Sequence, residues 1–269
     1  MVLPLPLKNK EVLKVDMANA RDEVHQQLAE VYDPELDQPL TELGFIGGVD
    51  IAGDKVTVRF RLPTYWCAAN FAYMMASDIR ERVSELPWVK QVDVLLQDHF
   101  HDEEINEGIK HGKTFLTAFP DATDSLDDLR ETFRVKAFQA RQERVLRWLI
   151  RKGIQEEAIL RMRVGELEQL LKKRQVAKLV KRYLNIRQER GLPGDIGAEA
   201  FSHHDGTPID PGGLQLLLNK ASSTRLSMEF NTAFCSGLLK TRYGEDKQGL
   251  KNADLEKDKT KESTGVIEA

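Results

Sequence analysis

The sequence has little of what exported or membrane-spanning proteins contain. Only two of its 269 residues are cysteines, Cys67 and Cys235, so we do not expect a disulfide framework. No apolar run approaches the roughly 18 to 20 residues of a transmembrane helix. The first segment, MVLPLPLKNKEVL, is too short and too interrupted by proline for a secretory signal peptide. These features predict a cytoplasmic protein that does not span a membrane.

The common catalytic motifs are also missing. The sequence has no P-loop, no Rossmann glycine fingerprint, no G-x-S-x-G and no H-E-x-x-H. It has no E-x-x-H pair, the motif with which helix-bundle diiron enzymes hold their metals. A nucleophile pair of Cys67 and His99 stays open, although no third residue is evident that would orient the histidine. We therefore expect that the chain is not an enzyme.

The charge is distributed very unevenly along the chain. Residues 1–133 contain 25 acidic and 13 basic side chains, whereas residues 134–190 contain 6 acidic and 17 basic ones. This contrast predicts two modules that can attract each other. The basic stretch has three interpretations: a surface for docking on an acidic protein, which includes the chain's own first part, a solvated face, or a nucleic-acid interface.

Sequence periodicity predicts an α/β fold for the first part. Apolar residues recur at helical spacing in residues 17–32 and 68–86. They alternate with polar residues in 46–51, 56–62 and 88–96, as in half-buried strands. The predicted order is α-β-β-α-β, a small domain over residues 17–105.

The remaining sequence predicts a mostly α-helical second domain. Residues 106–124 are polar and acidic and predict a linker. A long helix is expected at 126–151, with shorter helices and a last ordered piece completing an extension over 125–243. Residues 244–269 are almost free of large apolar side chains, which predicts a disordered tail.

Four short motifs follow one another along the predicted α/β domain. They are Asp33-Pro34-Glu35 after the first helix, Leu43-Gly44-Phe45 before the hairpin, Cys67 between the second strand and second helix, and Leu86-Pro87 before the last strand. In this order, over residues of about 20–100, the chain resembles the SufT-like and PaaD-like family of iron–sulfur cluster assembly domains. The loop departs from the family pattern in having bulky Tyr65 and Trp66 before the cysteine and Ala68 after it.

The resemblance implies a role in maturing metal centres. Members of the family act in iron–sulfur cluster assembly, and PaaD-like members accompany multicomponent oxygenases. It implies an accessory factor that assists assembly or insertion of an iron–sulfur or diiron centre into a client enzyme, with a multicomponent diiron monooxygenase as the candidate client. One alternative is a metal-free, chaperone-like or regulatory adaptor subunit of an oxygenase system. A second is a nucleic-acid-binding regulator that uses residues 134–190.

Five residues are candidate ligands for transient iron or an iron–sulfur cluster. Cys67 is the first, because a cysteine at a helix N-terminus favours the thiolate that such metals select. One cysteine cannot hold a cluster, and the resemblance adds Asp33 and Glu35 of the acidic motif. His99 and His101 follow the third strand at i and i+2, so on an extended chain they point the same way.

Each candidate also has a purely structural interpretation. Cys67 can be a small buried hydrophobe, Asp33 can cap a turn, and Glu35 and the two histidines can belong to solvated acidic loops. Cys235 lies on an apolar stripe between Phe234 and Leu238 and is predicted to be a core residue. The client and the oligomeric state are open from the sequence.

Overall fold

The computed structural model describes residues 17–123 and 125–244, and a three-stranded sheet flanked by helices forms its first part. The elements are α1 (Met17–Leu28), β1 (Tyr32–Asp33), β2 (Gln38–Pro39), α2 (Leu40–Leu43), β3 (Ile46–Ala52), β4 (Lys55–Arg61), α3 (Ala69–Ser84), β5 (Gln91–Gln97), α4 (Asp102–Lys110) and α5 (Phe115–Ala118). Strand β4 lies between β3 and β5, antiparallel to the former and parallel to the latter. The predicted α/β class is confirmed.

The sheet buries one face, as the alternation in the sequence predicts. Val56, Val58 and Phe60 of β4 are buried, and their neighbours along the strand are partly exposed. Val92 and Val94 of β5 pair in register with Val56 and Val58. Parallel strands need a crossover connection, and α3 supplies it between β4 and β5.

The outer edge of β5 is covered by a side chain of α4. The Nδ2 group of Asn106 donates to the backbone oxygen of Leu96 at 3.0 Å, and its Oδ1 accepts the Leu96 amide at 2.8 Å. The amide group of one asparagine thus makes both hydrogen bonds that another strand would make at this residue.

Helix α1 is four residues shorter than the sequence predicts. Tyr32 and Asp33 form β1 instead, which pairs with Gln38 and Pro39 of β2. The proline at position 34 disfavours helical backbone at Asp33, so the chain leaves the helix early and turns back on itself.

The second part of the chain is helical. Its elements are α6 (Leu126–Arg151), α7 (Glu156–Arg161), α8 (Val164–Leu170), α9 (Ala177–Glu189) and α10 (Leu214–Tyr243). These helices share a second core, in which Phe138, Leu146 and Tyr183 are fully or almost fully buried. No helix within residues 17–123 and 125–244 combines the length and apolar character needed to cross a membrane. Apart from Gly244, the predicted disordered tail lies outside the described residues.

The stretch predicted as an acidic linker, residues 106–124, packs against the first core. Ile109 is buried there together with Ile105, and Phe119 contacts the same cluster. The helix that enters this stretch, α4, begins with three acidic residues, Asp102, Glu103 and Glu104, in its first turn, where the helix dipole favours negative charge. Helix α4 is therefore amphipathic, with one face in the core.

Three arginines of the helical part bind Asp37 of the first part, and we refer to these four residues as the Asp37 clamp. The Nε and Nη2 groups of Arg141 donate to Asp37 Oδ1 at 2.9 and 2.7 Å. Arg182 donates to the backbone oxygen of Asp37 at 2.8 Å, and Arg144 lies 3.6 Å from Oδ2. Asp37 is 2% exposed, so the clamp is a buried ion pair between the two parts.

Further ion pairs join the acidic first part to the basic helices at the surface. They are Arg130 with Asp78 at 2.8 Å, Lys178 with Glu42 at 2.7 Å, and Lys181 with Glu30 at 3.6 Å. The two lysine pairs and the Asp37 clamp agree with the prediction that the oppositely charged stretches attract each other, whereas Arg130 and Asp78 both belong to residues 1–133.

Candidate functional site

The acidic motif forms a tight turn that Asp33 closes. Its Oδ1 atom accepts the backbone amides of Glu35 and Leu36, each at 2.8 Å. Burial raises the pKa of Asp33 to about 6, although the two amide bonds act in the opposite direction. Asp33 therefore has the turn-capping role that the sequence allowed, with a carboxyl group that holds its proton more firmly than usual.

Cys67 lies in the loop between β4 and α3, two residues before the first residue of the helix. Its Sγ atom is 3.1 Å from the Thr64 hydroxyl, and the residue is half-buried against the first core. No side chain caps the N-terminus of α3. A thiolate at this position would accept a hydrogen bond from Thr64 and face the positive end of the helix dipole.

His99 holds this loop in place. Its Nδ1 accepts the backbone amide of His101 at 3.1 Å, so the ring proton is on Nε2, which donates to the backbone oxygen of Cys67 at 2.7 Å. His99 is 2% exposed, and burial lowers its pKa. Both ring nitrogens are thus engaged with the backbone in a neutral imidazole.

His101 has different surroundings from His99. Its ring packs edge-on against Phe100 and Phe119, and its Nδ1 lies 3.7 Å from a carboxylate oxygen of Glu104. The centroids of the two histidine rings are 6.2 Å apart. The pair therefore reaches a common metal ion only if His99 gives up its bonds to the loop.

Helix α10 covers this region, which the sequence did not indicate. Asn231 donates to Glu35 at 3.5 Å, and Leu239 is buried in the first core. Cys235, one turn from each of them, packs against the same core and not against the core of the helical part. One face of α10 carries the residues that contact the first part, at steps of three or four: Asn231, Cys235, Leu239 and Arg242. This spacing was the signal in the sequence that could have indicated the contact.

The Cys235 thiol has both Cys67 and the acidic motif as neighbours. Burial raises its pKa to about 11, and the negative charges of Asp33, Cys67 and Glu35 act in the same direction. Within the part of the chain that the structure describes, no three histidine, cysteine or acidic side chains are gathered closely enough to hold a metal ion. The five predicted ligands thus surround one region but do not form a closed coordination site.

Exposed aromatic side chains stand beside Cys67. Trp66 is 77% exposed and Phe100 is 63% exposed. Tyr65 contacts both rings edge-on, with centroid distances of 6.1 and 5.9 Å. We refer to Tyr65, Trp66 and Phe100 as the aromatic rim, and large exposed apolar groups of this kind are typical of surfaces that bind other proteins.

Comparison with known proteins finds matches to the first part of the chain. Residues 21–94 match the family described as iron–sulfur cluster assembly protein. An uncharacterized protein of Methanocaldococcus jannaschii is 33% identical over 92 residues, which are 34% of this chain and 94% of that protein. The matched stretch contains the acidic turn, the Cys67 loop, strands β3 and β4, and the first four residues of β5. Through this domain, the chain belongs to the iron–sulfur cluster assembly protein family.

Proposed function

We propose that this protein is a cytoplasmic, non-enzymatic maturation factor that assists the assembly or insertion of an iron-containing centre in a client enzyme. Iron or an iron–sulfur cluster is its cargo. The observation that carries this proposal is the position of Cys67: a half-buried thiol at the start of α3, within hydrogen-bonding distance of Thr64, in the domain that defines the family. Cysteine sulfur is the soft ligand that iron and iron–sulfur clusters select.

We assign the choice of client to two exposed apolar surfaces, one beside Cys67 and one on helix α10. The aromatic rim presents apolar area next to Cys67. On the outer face of α10, Leu226, Phe230 and Phe234 are 55%, 73% and 60% exposed at four-residue spacing. A client that covers both surfaces would bury apolar area while its metal site faces the loop. The first client class that we propose is a multicomponent diiron monooxygenase, because the first domain resembles the PaaD-like domains of oxygenase systems.

The proposal is tested by replacing the chromosomal copy with Cys67→Ser in the source organism. The matched control is Ala68→Ser, which changes the adjacent, exposed residue in the same loop and keeps the thiol. The readouts are activity and iron content of a diiron monooxygenase and of an iron–sulfur enzyme from the same cells. We expect Cys67→Ser to behave like a deletion, and Ala68→Ser like the wild type, at equal protein levels.

The two enzymes separate the possible client classes. Loss of monooxygenase activity alone supports the diiron client, and loss of both activities supports a general role in cluster assembly. Wild-type activity of both enzymes in the Cys67→Ser strain would contradict the maturation role of the thiol. If the deletion strain nevertheless fails, the metal-free adaptor becomes the better description.

A further inference from the structure

The Cys67 loop is hydrogen-bonded to the segment that follows β5, residues 98–101. The backbone amide of Phe100 donates to the backbone oxygen of Tyr65 at 2.8 Å. The Nε2 group of His99 donates to the backbone oxygen of Cys67 at 2.7 Å. The position of the thiol therefore depends on how firmly the loop and the 98–101 segment are held together.

A third connection comes from the helical part of the chain. The Nη1 group of Arg242 donates to the backbone oxygen of Leu62 at 3.2 Å, and its Nη2 group donates to that of Asp98 at 2.5 Å. Arg61 of β4 and Gln97 of β5 are paired in register, so the next residues, Leu62 and Asp98, leave the sheet side by side. One guanidinium on α10 thus bridges the Cys67 loop and the 98–101 segment where both begin.

The backbone of Asp98 has a conformation that its surroundings must maintain. Its φ of 55° lies in the left-handed region, which residues other than glycine rarely adopt. Such a conformation persists where neighbouring contacts hold it. The bond from Arg242 to the Asp98 carbonyl is one of these contacts, and the next residue is His99, which binds the Cys67 carbonyl.

The end of α10 gives Arg242 a fixed base. Leu239, one turn earlier, is buried in the first core, and Tyr243 packs against the same core. The guanidinium of Arg61, at the end of β4, lies 4.2 Å from the centroid of the Tyr243 ring. Because Arg242 lies between these two anchors, its contacts with Leu62 and Asp98 are held on the first part from both sides.

We propose that Arg242 is a positioning residue for Cys67. Through this guanidinium, the helical part of the chain holds the Cys67 loop against the 98–101 segment and limits the exposure of the thiol. Arginine suits the role because its planar fork directs two donors to two separate carbonyls, whereas lysine offers a single nitrogen. The inference rests on the proposed function only for the importance of Cys67, and the positioning itself can be tested without a client.

The test compares the rates at which iodoacetamide alkylates the two thiols of the reduced, full-length protein. Mass spectrometry of the peptides measures Cys67 and Cys235 separately, in wild type, Arg242→Met and Arg242→Lys. In both variants we expect Cys67 to react about tenfold faster, because loss of one charged hydrogen bond shifts a local opening by roughly this factor. The rate at Cys235 should not change.

The two variants separate positioning from charge. Arg242→Lys keeps the positive charge and loses the fork. If Arg242 acted on the thiol by charge alone, Arg242→Met would slow the alkylation of Cys67, because a nearby cation favours the thiolate, and Arg242→Lys would match wild type. A Cys67 rate in Arg242→Lys equal to that of wild type would therefore overturn the proposal.

The second thiol separates positioning from detachment of the helix. Cys235 lies on α10 and packs against the first core, so its alkylation would accelerate if the variants released the whole helix. Equal acceleration of both thiols would mean that Arg242 only fastens α10, which would also overturn the proposal.

Hydrogen exchange gives a readout that does not involve either thiol. The Phe100 amide, which is bonded to Tyr65, should exchange faster in both Arg242 variants, since the loop and the 98–101 segment then separate more often. The Leu96 amide, which is bonded to Asn106, should keep its protection and shows that the fold is intact. Unchanged exchange at Phe100 would contradict the positioning role.

The proposed function is decided by a different experiment. Normal activity of both client enzymes in the Cys67→Ser strain would refute the maturation role of the thiol, while the alkylation and exchange rates would still decide the role of Arg242. If those rates do not respond to the Arg242 variants but Cys67→Ser cells fail, only the positioning role is refuted.

Discussion

The Asp37 clamp offers a quantitative test of what joins the two parts of the molecule. We consider Arg141→Met, which keeps much of the apolar stem and removes the guanidinium. Burial is the largest single influence on the pKa of Arg141 and acts to lower it, but the charge and hydrogen bonds of Asp37, with smaller contributions from Tyr32 and Glu189, together raise the pKa. The ion pair is therefore formed at every pH at which the carboxylate is ionised.

The magnitude follows from the hydrogen bonds that are lost. Arg141 makes two bonds to Asp37 Oδ1, at 2.9 and 2.7 Å. Bonds to charged groups contribute about 1.5–3 kcal/mol each, and removing one partner of a buried pair costs about 3–5 kcal/mol. Arg144, 3.6 Å from Oδ2, offsets part of this loss. We expect Arg141→Met to lower the free energy of unfolding by about 3 kcal/mol.

Urea unfolding followed by circular dichroism measures this change. The control is Lys178→Met, which breaks the ion pair between Lys178 and Glu42. The side chains of these two residues are 66% and 45% exposed, and exposed ion pairs contribute at most about 1 kcal/mol. Adding Asp37→Asn to Arg141→Met should recover stability, because the buried charge is then removed as well. If Arg141→Met costs no more than Lys178→Met, or if the double variant is the least stable, the reasoning about the clamp is wrong.

Three further results are expected. The pKa of Asp33 is raised from 3.8 to about 6 in the folded protein. The wild type should therefore lose up to about 3 kcal/mol of stability relative to Asp33→Asn as the pH rises from about 4 to about 6. A difference between the urea midpoints of the two proteins that does not change with pH would contradict this. Leu239→Ala should cost about 2–4 kcal/mol and increase the rate at which iodoacetamide alkylates Cys235, since α10 loses its anchor in the first core; an unchanged rate would show that the anchor is elsewhere. The basic helices should bind duplex DNA no more tightly than about 10⁻⁴ M at physiological salt, because several of their arginines bind Asp37; micromolar affinity with a steep salt dependence, measured by fluorescence anisotropy, would support the nucleic-acid interpretation.

Much of the secondary structure was predictable because the sequence patterns that define it are local. Alternation of Val56, Val58 and Phe60 defines a strand without knowledge of its neighbours, and the predicted helix at 126–151 coincides with α6. The early end of α1 was missed because β1 and β2 are only two residues long each, too short for any periodicity. The linker was misjudged because acidic composition does not reveal which face of α4 is buried.

The site was predictable only where motifs are contiguous. Asp33 as a turn cap and Cys67 before a helix follow from short stretches of sequence. The position of Cys235 depends on how α10 packs across the first domain, and its apolar neighbours in the sequence predicted a core residue without indicating which core. The tautomer of His99 depends on the amide of His101 and the carbonyl of Cys67, which meet only in three dimensions.

The contact between Asn106 and β5 has a consequence for how the protein behaves at high concentration. An open sheet edge is a template on which a strand of another molecule can add, and repeated addition leads to aggregates. In this sheet the asparagine already occupies both backbone groups of Leu96. One polar side chain on a helix therefore protects the β5 edge at Leu96 from self-association, although β5 has no further strand beside it within the described sheet.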